Sequence, residues 1–209
     1  MIKVVECANE IPPYRRPLYQ RFGRRKDMYF TLLLDTAVEP DREWDAISAI
    51  PNINIKIVRT FTIKWRKRDA TLSIFIERFI HFPVGLLPEL TARKPDVVIS
   101  SEFGFRSLST FLYCFLFRKP LILRIESTEV SDADVSRFQK LIRRFLVGKP
   151  RSYLAGGKGS ERYLNSIGVP SSKIHYSVQM VDNRWWRTET ERVDRTVLRL
   201  GGALSPSGT

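Results

Sequence analysis

Lys94-Pro95-Asp96-Val97-Val98-Ile99-Ser100 and Lys119-Pro120-Leu121-Ile122-Leu123-Arg124 decide the fold. Each is a turn with a proline that resets the chain into a short apolar run. Between them, Phe105 to Phe117 carries an apolar helical pattern. Strand, helix, strand is the unit from which parallel sheets are built.

The same alternation extends in both directions. Upstream, Ile2 to Cys7 reads as the first strand and Met28 to Leu34, closed by Asp35, as the second. Ile53 to Val58 alternates cleanly as the third. The paired prolines in Asn9-Glu10-Ile11-Pro12-Pro13-Tyr14-Arg15 delay any helix until about Tyr14, and a short helix is expected from Pro17 to Arg24. Glu39 to Ile50 offers a loop and a short helix. Thr71 to Leu90 has helical spacing through Leu72, Phe75, Ile76, Phe79 and Ile80, broken or kinked at Pro83 and Pro88.

Downstream, Val135 to Val147 shows an apolar helical stripe, and Ser152 to Ala155 is a short strand. Gly156-Gly157-Lys158-Gly159 opens into a helix from Ser160 to Ser166, with Gly168 as its cap. Lys173 to Val178 is the last convincing strand. After Asp182 the character changes. Thr188 to Arg199 is charged with helical potential, and Gly201 to Thr209 has no core-forming pattern. The fold class is α/β: an open, mostly parallel sheet with helices on both faces.

Of the 209 residues, 43% are hydrophobic, enough for one sizeable core. Met1 to Cys7 is too short and too charged for a signal peptide. The longest greasy stretch, Phe105 to Phe117, falls short of the ~20 residues that span a bilayer. Cys7 and Cys114 read as buried small hydrophobes, with no metal spacing and no C-x-x-C, so no metal site is expected. Two thiols without a leader point to the cytoplasm, or to the inner face of the cell membrane.

The net charge of +13 calls for an anionic partner. Basic residues cluster at Arg15 to Lys26, which includes Arg24 and Arg25, and around Trp65 at Lys64, Arg66, Lys67 and Arg68; a third cluster is Lys140, Arg143 and Arg144. Aromatic residues accompany the first two clusters. Basic and aromatic residues together suit an anionic membrane surface, read here as basic helices near the sheet edge. Nucleic acid is disfavoured, because no helix-turn-helix, zinc finger or RNP-type strand is present.

In open α/β sheets, ligands bind beyond the carboxyl ends of the strands. The residues there are Asn9 to Arg15, Ser101 to Gly104, Ile125 to Thr128 and Gly156 to Ser160. Glu102 and Glu126 follow sequential strands. They read either as a pair for sugar hydroxyls or as two solvated loop carboxylates. Gly156 to Ser160 reads either as an anion site at a helix N-terminus or as a plain turn. His81 and His175 lack a Ser or Cys partner in motif context and read as structural, so a hydrolase triad has no support.

Several of these stretches, in this order and spacing, resemble the N-terminal domain of glycosyltransferase family 4. They are Ile11-Pro12-Pro13-Tyr14-Arg15 with Leu18, Lys94 to Ile99, Lys119 to Leu123, Tyr153-Leu154-Ala155-Gly156-Gly157, and Glu161 to Pro170 followed by Lys173-Ile174 and Val181-Asp182. The resemblance covers residues 1 to about 186 and implies a Rossmann-like half of a two-domain GT-B enzyme. Such enzymes transfer a sugar from a nucleotide-sugar with retention, as a rule without metal or other cofactor, often onto cell-envelope or polysaccharide acceptors. It also implies that Glu102, Phe103, Gly104, Glu126 and Ser127 face a sugar or lipid-linked acceptor. Arg15, Gly157 and Lys158 would face the donor phosphates. Where the family often has histidine, this chain has Arg124-Ile125-Glu126, and its first loop has Pro12-Pro13-Tyr14-Arg15 in place of glycines.

The expected domains are 1–186, resembling the family's N-terminal domain, and 187–209, a hinge or tail without a core. The family's donor-domain motifs are not found in 187–209, so the chain reads as truncated and inactive alone. Two other readings stay open: half of a split enzyme completed by a separately encoded donor domain, or a non-enzymatic basic module binding membrane or nucleic acid.

Overall fold

The computed structural model describes residues 1–42, 44–46, 49–68, 75–132, 137–179, 181 and 183–192, the side chains of 65–68, 75–78, 132, 185, 189 and 192 excepted. The chain forms two compact units, Met1–Gln179 and Met180–Thr209.

The first unit is built on seven parallel strands in the order β3-β2-β1-β6-β7-β8-β9. They are β1 (Ile2–Ala8), β2 (Met28–Leu34), β3 (Ile53–Ile57), β6 (Val97–Ser101), β7 (Leu121–Ile125), β8 (Ser152–Ala155) and β9 (Ile174–Tyr176). The order reverses between β1 and β6, which pair from Val4↔Val97 to Cys7↔Ser100. The helices are α1 (Arg16–Gly23), α2 (Leu86–Arg93), α3 (Phe105–Leu116), the short α4 (Glu129–Asp132), α5 (Arg137–Leu146) and α6 (Lys158–Ser166). The second unit has one described helix, α7 (Asn183–Arg192). The rest of the expected helix to Arg199 and the tail lie outside the described residues.

Both faces of the sheet are covered, as continuous apolar strands require. Phe30, Leu32 and Leu34 pack with Ile11 and Tyr19 of α1. Leu33 points the other way, with Val5 and Cys7, into a core with Leu86 and Leu90 of α2 and Tyr113 and Cys114 of α3. Both cysteines are buried free thiols. Burial pushes Cys7 well above the usual thiol range, and Cys114 up to about 12.

Local signals account for several boundaries. Pro17 sits in the first turn of α1, where its missing N–H costs nothing. Lys94 ends α2 in the left-handed region ahead of Pro95, and Gly168, with φ 94°, follows α6. Gly23 closes α1 against the chain reversal before β3. A Cβ there would lie 2.2 Å from the Pro51 carbonyl oxygen, which is backbone and cannot step aside. Gly23→Ala is therefore expected to lower stability by about 1–3 kcal/mol in urea unfolding, as overpacking does. An unchanged midpoint would show that this reversal yields freely.

The expected helix from Thr71 to Leu90 is not formed. Phe75–Phe82 is a strand, β5, paired antiparallel with β4 (Phe61–Arg68) in a separate two-stranded sheet. Phe75, Ile76, Phe79 and Ile80 satisfy helical spacing, yet they lie in a run of aromatic and β-branched residues that equally suits a strand. Pro83 ends the strand, and the helix begins only at Leu86. The basic cluster at Lys64 to Arg68 therefore sits on a hairpin and not on a helix. Residues 69–74 lie outside the described ones, and among the described residues of Glu39 to Ile50 there is no helix.

Candidate functional site

Two buried ion pairs underlie the carboxyl end of the sheet. Glu6 of β1 accepts from Arg124 of β7 through both guanidinium Nη atoms, and from Tyr19 Oη at 3.0 Å. Asp35, just after β2, accepts from Arg106 Nε at 3.0 Å and Nη2 at 2.6 Å, and Arg106 Nη1 reaches the Ser101 carbonyl oxygen at 3.3 Å. These pairs fasten β7 to β1, and the start of α3 to the end of β2, on either side of the point where the strand order reverses.

Above them the loops interlock. Glu102 accepts from the backbone N–H of Glu126 (2.6 Å) and of Ser127 (3.2 Å), and from Ser127 Oγ at 2.6 Å. Its backbone sits at φ 60°, a left-handed conformation that costs a residue with a Cβ about 1–3 kcal/mol, and such strain clusters at functional sites. Glu126 takes Arg15 Nη2 on one carboxylate oxygen and Gln179 Nε2, at 2.7 Å, on the other. The Glu126 carbonyl oxygen accepts from Ser160 Oγ at 3.1 Å. A Cβ on Gly156 would press on Glu126 Cγ at 3.3 Å, so glycine lets β8 run close under this carboxylate.

A cleft of about 200 Å³ opens where β1 and β6 diverge. Asn9, His81, Ser101, Glu102 and Arg106 give it a polar side, and Phe79, Phe105, Phe138 and Ile142 an apolar one. His81 Nε2 lies 2.7 Å from Glu39 Oε1, and its Nδ1 lies 2.9 Å from Thr62 Oγ1. Asn9 Nδ2 donates to the same Glu39 oxygen at 3.3 Å. Ser101 Oγ, on the cleft lining, and Glu39 Oε2 are buried with no hydrogen-bond partner among the described residues. Among the described residues no group of His, Cys, Asp or Glu could hold a metal ion.

The expected site residues divide. Glu102 and Gly104 line the cleft, and Glu126 and Ser127 are bonded to Glu102 beside it. Phe103 instead packs against the main core. Arg15 is committed to Glu126. Gly157 precedes α6 in extended backbone, and Lys158, its first residue, is exposed. Arg24 and Arg25 lie at the far end of the sheet beside the starts of β2 and β3, where two hydrogen bonds join Arg25 to Asp27. Lys64 is exposed on β4, its Nζ 5.7 Å from the Phe79 ring centroid. The side chains of Arg66, Lys67 and Arg68 lie outside the described residues.

Sequence reading missed the Glu39–His81–Thr62 group and the Asp35–Arg106 pair. The rule that selected Glu102, a carboxylate directly after a strand, applies equally to Asp35. His81 was out of reach once its segment was read as helical.

Burial raises the Glu102 carboxyl above its ordinary range, and the hydrogen bonds from Ser127 only partly offset this. A glutamate in the unfolded chain titrates near about pH 4.3. Above that pH the native state still holds the Glu102 proton while the unfolded chain has released it. This contribution to stability is complete below about pH 4.3 and is lost as pH rises through the folded value. Glu102→Gln removes it, so the stability of the variant relative to wild type should climb with pH from about 4 upward. Urea unfolding at stepped pH measures this, and a flat difference would refute it.

No protein-family model matches the chain, and no curated protein matches it in sequence. Solved structures do match its fold. Anabaena Alr3699/HepE, crystallised with UDP-glucose, is 11% identical with a TM-score of 0.54, over 87% of this chain and 45% of that one. UDP-N-acetylglucosamine 2-epimerase from Rickettsia bellii is 15% identical with a TM-score of 0.53, over 96% of this chain and 51% of that one. The fold is Rossmann-like, of the GT-B type. The chain spans about half the length of the structures it matches.

Proposed function

We propose that this chain is the acceptor-binding half of a retaining, family 4-type glycosyltransferase that moves a sugar from a nucleotide-sugar to a cell-envelope or polysaccharide acceptor. The cleft at the strand reversal carries the reading. Its polar side offers Asn9, His81, Ser101, Glu102 and Arg106 to hydroxyls, and its aromatic wall suits the apolar face of a sugar ring. The likeness to HepE, whose structure holds UDP-glucose, supports a nucleotide-sugar as donor. In this reading Glu102, Glu126 and Ser127 orient the acceptor, while Arg15 and the start of α6 at Gly157 and Lys158 face the donor phosphates. In this reading the donor binds mainly to a second domain.

Two measurements test this. Labelled UDP-sugars are incubated with membranes, the chain, and a donor-domain polypeptide, together and separately. Transfer should require both polypeptides. In amide NMR of the chain alone, acceptor saccharides should shift Asn9, Glu102 and Ser127, with UDP-glucose leaving them in place. Tight UDP-glucose binding by the chain alone, or no saccharide response, would overturn the assignment.

A further inference from the structure

A second hollow, of about 490 Å³, opens at the other end of the sheet, where β2 and β3 begin. The seven residues of β2 set it about 20 Å from the carboxyl ends of the strands, so it is no part of the cleft. Its volume lies within the ~300–1,000 Å³ of small-molecule sites. Arg24, Arg25 and Lys26 bring cations to its lining, Asn52 and Asn54 carboxamides, and Tyr29 a phenol that is 44% exposed. The lining is tied together, because Asn52 Nδ2 donates to the Gly23 carbonyl oxygen at 3.1 Å. Three consecutive cations here meet one carboxylate. Asp27 takes Arg25 Nε at 2.8 Å and Nη2 at 2.6 Å. Arg24 and Lys26 have no side-chain partner among the described residues. The dipole at the carboxyl end of α1 favours cations within its last turn, which suits Arg24 and Arg25 but does not reach Lys26.

We infer that this hollow binds a soluble sugar phosphate, its terminal phosphate on Arg24 and Lys26 and its hydroxyls on Asn52, Asn54 and Tyr29. The charges select the phosphate. A phosphomonoester carries close to two negative charges at neutral pH and three strong acceptor oxygens, which matches two cations without partners. The rest of the lining selects what the phosphate is attached to. Carboxamides and a phenol both donate and accept, as hydroxyl groups require, and the lining offers no further carboxylate for a cationic group. The hollow also holds far more than a bare phosphate. A phosphodiester carries about one charge and no terminal oxygens, so UDP-glucose and the common lipid headgroups fit it poorly. The site does not depend on sugar transfer.

The test is amide NMR of the full chain titrated with glucose 1-phosphate, inorganic phosphate, glucose and UDP-glucose. Glucose 1-phosphate should move the amides of Arg24, Lys26, Tyr29, Asn52 and Asn54, with an affinity that falls as salt rises. Inorganic phosphate should move Arg24 and Lys26 but bind more weakly, and glucose and UDP-glucose should leave the hollow unmoved. Arg24→Gln with Lys26→Gln should weaken glucose 1-phosphate on the order of tenfold, since each exposed charge contributes up to about fivefold. Asn54→Ala should weaken glucose 1-phosphate and leave inorganic phosphate unchanged. Lys140→Gln with Arg144→Gln removes the same charge elsewhere and should bind as wild type. All five side chains are exposed, so every variant should keep its unfolding midpoint. No movement with either phosphate, equal affinity for the two, a full response to UDP-glucose, or wild-type affinity in the Arg24, Lys26 variant would each overturn the assignment. So would adsorption to phosphatidylglycerol vesicles that this variant loses, with no response to glucose 1-phosphate, because the cations would then serve a bilayer. No helix among the described residues is long and apolar enough to cross a membrane, so the vesicle arm reads surface binding alone.

Discussion

Arg124→Met is expected to lower the unfolding free energy by about 3–5 kcal/mol, because it strands a carboxylate in the sheet. Glu6 and Arg124 are both buried, and among the described residues Tyr19 Oη is the only other side-chain donor on Glu6. One neutral hydroxyl cannot replace a guanidinium for an ionised group out of water. For a unit of this size the shift corresponds to roughly 6–20 °C in Tm. The double variant Glu6→Leu, Arg124→Met should recover most of the loss, since an apolar pair of similar volume removes the charge that had to be compensated. Urea unfolding of the two variants decides the matter. A single variant within about 1 kcal/mol of wild type would mean that water reaches Glu6 and the pair is not structural.

Glu126→Ala should show the opposite profile, a large loss of transfer with little loss of stability. The Arg15–Glu126 pair is partly exposed, with side-chain exposures of 12% and 32%, and such pairs contribute about 0–1 kcal/mol to folding. The same carboxylate nevertheless holds Arg15 and Gln179 in place. Loosening these groups by an ångström costs on the order of a hundredfold in rate for a reaction that depends on alignment. In the two-polypeptide transfer assay, kcat/KM should fall by about that factor, with the unfolding midpoint nearly unchanged. Glu126→Gln, which still accepts from Arg15, should retain part of the rate. Full activity in Glu126→Ala would remove Glu126 from the site and leave the cleft to Glu102 and Asn9.

The sequence made the parallel sheet legible because its strands are buried on both faces. Apart from Thr31 and Ser152, Met28–Leu34 and Ser152–Ala155 are apolar or aromatic runs bounded by turn residues, and both strands have the expected ends. The β4–β5 hairpin was not legible. Phe75 to Phe82 satisfies two periodicities at once, and only its pairing with Phe61–Arg68 decides between them. The interlocked loops were legible in part. Position after a strand pointed to Glu102, Glu126 and Ser127, while their bonding partners came from distant segments. Arg15 and Glu126 are 111 positions apart, and Arg106 and Asp35 are 71 apart. Such pairings have no local signature, because they depend on how closely strands far apart in the chain are brought together.

The pairing of β1 with β6 has a consequence for synthesis on the ribosome. β2 can join one edge of β1 early, with β3 following on β2, but the other edge of β1 must wait until Val97 to Ser100 have been made. At about 5–20 residues per second, the interval between the end of β2 and the end of β6 lasts several seconds. Throughout that time Val4 to Cys7 present an unsatisfied strand edge in a half-built sheet. Chaperone demand should therefore peak while the hairpin segment is being translated, before β6 arrives to close the gap.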